Sequence, residues 1–473
     1  MNKSVSIQLN MMMNVLLTLS SIIFPLITLP YVTGILGPQG MGRVYFASSV
    51  IAFFSIFAEI GIPVYGIRAC ARVKNDNEEL TKTAREIMTV NLIACLASYA
   101  VLFICMMIIP RLSEDRLLFA VLSSSMILNV VGAEWLYKAL EKYTYITVRS
   151  LIFKTIAVAT IFMTINSSTD YVLYGFLTIS AAAASNIVNM MNLHKHIGMK
   201  SGGHMDLRRH LPGMMALFSL AAAATIYANL DIAFLDFIKG DTEAGLYGIA
   251  VKVKLVMVNL ITSVSAVLLP RVSYLKARDE REQYMKLLKN TMSGVNILSV
   301  PLTCFFIIFA DKCVMILAGQ EFSGSVMPMR IIMPAVFIIG ISSILGMQML
   351  IPMGKEKAVS RAAWAGALID ILLNAILIPR FASSGAAFAT LSAEILVLIC
   401  LIKAAGRDAS CIIKPDVLTA SVTSACIASV LPVVVIKDLK TGELATLVIA
   451  AGIFFAVYSI IIFAINNKHE LLH

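Results

Sequence analysis

The chain has 473 residues, 59% of them hydrophobic and only 14% charged, with a formal net charge of +10, and its mean hydropathy is +0.86. Soluble domains hold about 45–50% apolar residues, so this composition excludes an ordinary soluble protein and requires lipid as the solvent. No loop is long enough for a separate soluble domain, so whatever the protein does, it does within a membrane or at its surfaces.

A bilayer core about 30 Å thick takes roughly 20 apolar residues of helix. Runs of about that length predict spans at Met11 to Leu36, Val44 to Cys70, Ala84 to Ile109, Leu117 to Tyr137, Tyr145 to Ile165, Tyr171 to Leu193 and Leu211 to Phe237. They continue at Ala244 to Leu269, Leu288 to Ala310, Val326 to Ile351, Ala358 to Ile378, Gly385 to Ile402, Val417 to Ile436 and Leu444 to Ile465. The expected fold is all-α: a polytopic membrane bundle of about fourteen transmembrane helices, in two six-helix lobes (1–205 and 206–404) plus two C-terminal helices (405–473). The first half's fifth span and the second half's sixth are near the minimum length, so twelve or thirteen spans also fit. The first apolar run is too long for a signal-peptide core and lacks a small-residue cleavage site, so it is expected to stay as a helix. Eight cysteines without CxxC spacing predict free thiols and no metal site.

Basic residues alternate from loop to loop. With a cytoplasmic amino terminus, most of them, including Arg68, Arg72, Lys74, Lys138, Lys142, Arg149, Lys154, Arg208 and Arg209, collect on the cytoplasmic side. The opposite side holds Arg43, Arg111, Arg116, Lys239, Lys312, Arg380, Lys437 and Lys440. That asymmetry places both termini in the cytoplasm. It also explains the positive charge without nucleic acid, because the basic residues follow topology and do not form one patch.

A weak internal repeat pairs Gly37-Pro-Gln-Gly-Met-Gly42-Arg-Val-Tyr45-Phe-Ala47 with Gly240-Asp-Thr-Glu-Ala-Gly245-Leu-Tyr247-Gly-Ile-Ala250. Both strings lie where an external turn enters a helix, and an even number of spans per repeat would relate two lobes by an axis along the membrane normal. Glycine and tyrosine are also common at interfacial turns, which is the plainer reading.

Ionisable groups at mid-span cost about 2.5–3.5 kcal/mol, so they mark cavities, paired sites or function. Glu59, Asp231, Lys252, Lys254, Asp370, Glu394 and Arg330 fall within predicted spans. Lys252 and Lys254 are about 200° apart around a helix and cannot face one cavity together. Lys252 and Asp231 are at similar depth, open to two readings: an ion pair joining two helices, or a cation lining a cavity for an anionic head group. Glu59 and Glu394 can be neutral hydrogen-bonded carboxyls or carriers of a coupling proton. Prolines in or beside spans, such as Pro25 and Pro30, allow helix bending.

Several strings resemble those of the bacterial polysaccharide-biosynthesis and O-antigen flippases, within the superfamily that also holds the multidrug and toxin extrusion transporters. They are Phe57-Ala-Glu-Ile-Gly-Ile-Pro-Val-Tyr-Gly-Ile-Arg68, Glu134-Trp-Leu-Tyr-Lys-Ala-Leu-Glu141-Lys-Tyr, Asn229-Leu-Asp231 followed by Ala244-Gly-Leu-Tyr247-Gly-Ile-Ala-Val-Lys252, Leu269-Pro-Arg-Val-Ser273, Gly346-Met-Gln-Met-Leu-Ile-Pro352-Met-Gly-Lys355, and Gly385-Ala-Ala-Phe-Ala-Thr390 with Glu394. Their order and topological positions extend over roughly residues 10 to 405.

The resemblance implies a flippase, not an enzyme, working by alternating access in the bacterial inner membrane. Its cargo would be a polyprenyl (undecaprenyl) diphosphate-linked oligosaccharide, an O-antigen or capsule/exopolysaccharide repeat unit, carried from the cytoplasmic to the periplasmic leaflet. It implies no cofactor beyond proton or sodium coupling, with membrane lipids and other polysaccharide assembly proteins as partners. By position, Lys252 would contact the diphosphate or sugar, with Asp231, Arg43 and Arg330 as further substrate candidates. Glu59 and Glu394 are candidates for ion coupling, and Arg68 and Glu141 for gating. The first span holds no arginine between Met11 and Leu36, a departure from the pattern of peptidoglycan-precursor flippases. The competing classes are a cation-coupled drug or metabolite antiporter of the same superfamily, for which twelve spans are usual, and a membrane glycosyltransferase or polymerase, for which no soluble catalytic segment is present.

Overall fold

A computed structural model describes the backbone of residues 3–470 except 196, 199–204, 279, 414 and 439–441. Three basic residues used for the orientation, Lys200, Lys414 and Lys440, therefore lie outside the described residues. The main helices are α1 (Lys3–Glu59), α2 (Ile62–Arg72), α3 (Asn77–Ile108), α4 (Pro110–Glu114), α5 (Arg116–Gly132), α6 (Glu134–Ala139), α7 (Tyr143–Thr164), α8 (Tyr171–Ile179), α9 (Ser185–Asn192) and α10 (Leu211–Lys239). They continue as α11 (Asp241–Ala277), α12 (Arg281–Ile308), α13 (Ala310–Ala318), α14 (Val326–Ile332), α15 (Pro334–Ser343), α16 (Glu356–Ala405), α17 (Arg407–Ile412), α18 (Pro415–Asp438) and α19 (Glu443–Glu470). No strand occurs among the described residues.

Ten helices among the described residues are long and apolar enough to cross a membrane, or eleven if the bent pair Gln320–Ile332 and Pro334–Leu350 counts as one span. The sequence count of about fourteen is higher. It divides α1 and α16 in two and admits the 17-residue α5. Both long helices are in fact interrupted. As a straight rod the 57-residue α1 would be about 85 Å long, almost three hydrocarbon thicknesses. Its break is Gly37, at φ 64° and ψ 179°. Gly240, between α10 and α11, takes nearly the same conformation at φ 85° and ψ 178°. The two glycines opening the repeat strings thus make the same left-handed turn, which only glycine adopts without strain. The 50-residue α16 breaks at Ala382, φ 48° and ψ −129°, a conformation that costs a residue with a Cβ about 1–3 kcal/mol. The Glu243 carboxylate steadies it by accepting the next N–H, from Ser383, at 3.2 Å.

The chain forms two compact units, 1–242 and 243–473. In the first, the amino-terminal half of α1 runs beside α7 in the same direction. Thr147 donates to the Met13 carbonyl at 2.9 Å, and Tyr31, further along α1, donates to the Ile165 carbonyl at 2.9 Å. Helix α10, expected to open the second lobe, packs here against α1 and α2. In the second unit, α12 packs against α15 and α18. The last helix joins it through a Tyr458 hydroxyl donating to the Ile297 carbonyl at 2.9 Å and through Phe305 against Phe454, ring centroids 5.6 Å apart. The two C-terminal helices are therefore integral to the second unit.

Candidate functional site

Helix α11 carries both lysines singled out from the sequence, and its neighbours Val251 and Val253 are buried. Lys254 is 9% exposed whereas Lys252 is exposed, as their angular separation requires. Lys252 lies eleven residues beyond Asp241, about 16 Å along the helix and so near the middle of a bilayer core. An exposed ammonium at that depth is costly against hydrocarbon and favourable only where water or an anion reaches it. Asp231 is buried in α10.

The remaining sequence candidates separate into different surroundings. Glu59, at the end of α1, accepts from the Asn129 amide at 3.4 Å. Glu394 is buried in the second part of α16, one turn after Thr390, whose hydroxyl meets the Tyr247 hydroxyl at 2.8 Å. Asp370 and Asn374 are buried one turn apart in the first part of the same helix. No group of three His, Cys, Asp or Glu side chains suited to a metal occurs among the described residues. Arg330 is 4.0 Å from Asp311 and substantially exposed. Arg68 is exposed.

Arg43 belongs to a charged network at the end of the first unit marked by the Gly37 turn. Its guanidinium pairs with Asp115 at 3.4 Å and Asp241 at 3.2 Å and donates to the Tyr171 hydroxyl at 3.0 Å. Arg111 joins from α4, gripping Asp236 through two bonds of 2.8 and 3.0 Å, Glu114 at 2.6 Å, and Asp241. Burial opposes the Arg111 charge, but the bonds and charges of Asp236 and Asp241 outweigh it and raise its pKa above the ordinary guanidinium value. Bidentate arginine–carboxylate pairs are among the stronger polar contacts. Sequence reading missed Asp236 and Arg111 as partners. The available signal was a second acid five residues beyond Asp231 at the same helix end.

A second cluster pins the other end of α10. Glu86, fully buried, accepts from Arg209 at 2.6 Å, from His210 Nε2 at 2.9 Å and from the Asp206 backbone N–H at 2.9 Å. His210 also bonds the Tyr65 hydroxyl at 2.8 Å, and Arg209 reaches Glu79 at 3.1 Å. From His210 to Asp236 along α10 is about 39 Å, close to the full bilayer thickness of about 40–45 Å including head groups. The two clusters thus fit opposite membrane surfaces. Glu141, a gating candidate with a left-handed φ of 59°, pairs with Lys74 at 2.7 Å on an exposed surface. Glu86→Ala is expected to destabilise the first unit by about 3 kcal/mol, the lower end for a broken buried pair because Arg209 retains some water. Chemical denaturation in detergent checks this, and an unchanged midpoint would contradict it.

Lys154 requires a correction. Grouped from the sequence with the cytoplasmic residues, it lies eleven residues inside α7, 8% exposed, donating at 2.8 Å to the hydroxyls of both Ser20 and Ser21. Arg149, on the same helix, is also buried and pairs with Glu134 at 3.3 Å. Basic residues near a helix start read as loop residues in a charge count, and only packing distinguishes them. An apolar replacement of a buried charge is often neutral. Lys154→Met is accordingly expected to keep the melting temperature in detergent within about 3 °C of wild type, and a larger fall would show the ammonium to be structural.

The sequence profile of the family described as "Polysaccharide biosynthesis protein" matches residues 8–276. A "Putative O-antigen transporter" of Escherichia coli (strain K12) is 22% identical over 380 residues, covering 80% of this chain and 91% of that protein. One of the same description from Shigella dysenteriae is 26% identical over 388 residues, covering 81% and 96%. Among solved structures, "Lipid II flippase MurJ, inward closed conformation" superposes with a TM-score of 0.76 at 15% identity, over 98% of this chain and 100% of that one. At that identity the likeness is one of fold.

Proposed function

Because the chain belongs to the polysaccharide biosynthesis protein family, we propose that it is a flippase, not an enzyme, moving a polyprenyl-diphosphate-linked oligosaccharide from the cytoplasmic to the periplasmic leaflet of a bacterial inner membrane by alternating access. The family match is the observation that carries the reading. The O-antigen transporter relatives, aligned over most of their length, support it.

In this reading both termini are cytoplasmic. Lys252 meets the diphosphate, whose charge needs a cationic partner away from water while the polyprenyl tail stays in lipid. Asp231 and Arg330 are secondary contacts. Arg43 becomes available to substrate only in a state where its bonds to Asp115 and Asp241 open. Glu59 and Glu394 are the proposed coupling carboxylates for protons or sodium, and Arg68 and Glu141 act at the cytoplasmic gate.

The test is reconstitution in vesicles carrying a fluorescent polyprenyl-diphosphate N-acetylglucosamine, with a membrane-impermeant quencher reporting leaflet exchange. Protein-dependent exchange is expected, and exchange no faster than in empty vesicles would overturn the assignment. Collapsing the proton and sodium gradients separately tests coupling. Unchanged flipping under both removes Glu59 and Glu394 from that role.

A further inference from the structure

The first unit has a groove of about 490 Å³ between α3, α5 and α9, apart from every residue assigned to transport above. Its lining is divided by chemistry. Arg85 and His194 stand with a run of apolar side chains that includes Met88, Leu92, Val131 and Met190. Along α3, Arg85 and Leu92 are about 10 Å apart. Leu92 and Met190 are well exposed, so the apolar part opens outward to the hydrocarbon. Arg85 directly precedes Glu86, whose cluster lies at the head-group level of one surface.

The nearest carboxylates in sequence do not neutralise Arg85, since Glu79 and Glu86 are both taken by Arg209. Arg85 forms no ion pair among the described residues. His194, its Nδ1 donating to the Met191 carbonyl at 2.8 Å, lines the same polar part of the groove. A guanidinium at head-group depth above an apolar trough matches a phosphate ester on a long chain. A groove of this volume lies within the range for sites that bury small ligands.

We propose that this groove binds one anionic phospholipid of the surrounding bilayer, its phosphate on Arg85 and an acyl chain along Leu92, Val131 and Met190. The glycan-bearing carrier fits less well. Apart from the His194 imidazole, the described lining residues include no aromatic side chain, carboxylate or carboxamide to hydrogen-bond or stack a sugar, and among them Arg85 is the single permanent charge against a diphosphate. Bound there, the lipid would bridge three helices of the first unit beside the cluster that anchors α10.

Native mass spectrometry of the purified full chain tests this with added phosphatidylglycerol, phosphatidylcholine or undecaprenyl phosphate. Wild type is expected to retain one phosphatidylglycerol in preference to phosphatidylcholine. Arg85→Gln should weaken that retention about five-fold, the worth of one basic residue at an anionic surface. Val131→Trp, which fills the trough, should weaken it at least as much; Val131→Met serves if the larger residue prevents folding. Equal retention of the two phospholipids, or unchanged retention in Arg85→Gln, would overturn the proposal. Undecaprenyl phosphate displacing phosphatidylglycerol from wild type but not from the Val131 variant would also overturn it, by showing the carrier lipid to be the occupant. Leaflet exchange of the sugar lipid is measured separately, so either result stands without the other.

Discussion

Lys252→Ala is expected to reduce glycan export at least about 30-fold while leaving membrane insertion and melting behaviour intact. Removing one partner of a desolvated charge pair costs about 2–5 kcal/mol, and 2 kcal/mol alone is about 30-fold. Lys252→Arg keeps the charge but changes its shape and reach, so partial transport should remain. Lys254→Ala supplies the contrast. Lys254 is 9% exposed on another face of the same helix, so its loss should show in stability before transport. Surface glycan in a flippase-deficient strain, at matched expression, is the measurement. Normal glycan with Lys252→Ala would remove this residue from the pathway.

Gly42→Ala should be the most damaging small substitution in the first unit. A Cβ at Gly42 would lie 1.7 Å from the Asp241 carbonyl oxygen and 2.5 Å from its carbonyl carbon. These are backbone atoms with no rotamer to move aside. Separating the two segments would also pull Arg43 from Asp241, so the overpacking cost, about 1–3 kcal/mol or more, adds to a lost ion pair. Gly34→Ala on the same helix is the control, since a Cβ there meets nothing within 4 Å. Replacing a helical glycine there should be neutral or stabilising by about 0.5–1 kcal/mol. Fluorescence-detected size exclusion after heating should rank Gly34→Ala at or above wild type and Gly42→Ala well below. Wild-type behaviour of Gly42→Ala would show that this contact is not needed.

The apolar runs located nearly every helix because lipid imposes a length and composition that a single window of sequence reveals. Gly37 and Gly240 were legible for a similar reason: a left-handed turn restricts residue choice locally. Ala382 was not. Its turn depends on Glu243, some 140 positions away, and no alanine announces a positive φ. The angular argument separated Lys252 from Lys254, but burial was needed to say which one is enclosed. The two polar clusters were the largest omission. Glu86 and His210, or Arg111 and Asp236, are each unremarkable in their own segments and gain meaning only through contacts between distant spans. Charge counting even misplaced Lys154, because a count by segment cannot distinguish a head-group lysine from one enclosed between helices.

The anchoring of α10 at both ends has a consequence for biosynthesis. Glu86 enters the membrane system 123 positions ahead of Arg209, an interval of about 6–25 s at ordinary elongation rates. Arg111 waits 125 positions for Asp236. Until then a carboxylate destined for complete burial has neither its arginine nor its histidine, and it must stay at the water interface or borrow a lipid or chaperone partner. The first unit therefore cannot close helix by helix as it emerges. It remains an open assembly until the seventh apolar segment arrives, and truncation before residue 242 should leave a fragment prone to degradation rather than an independent half.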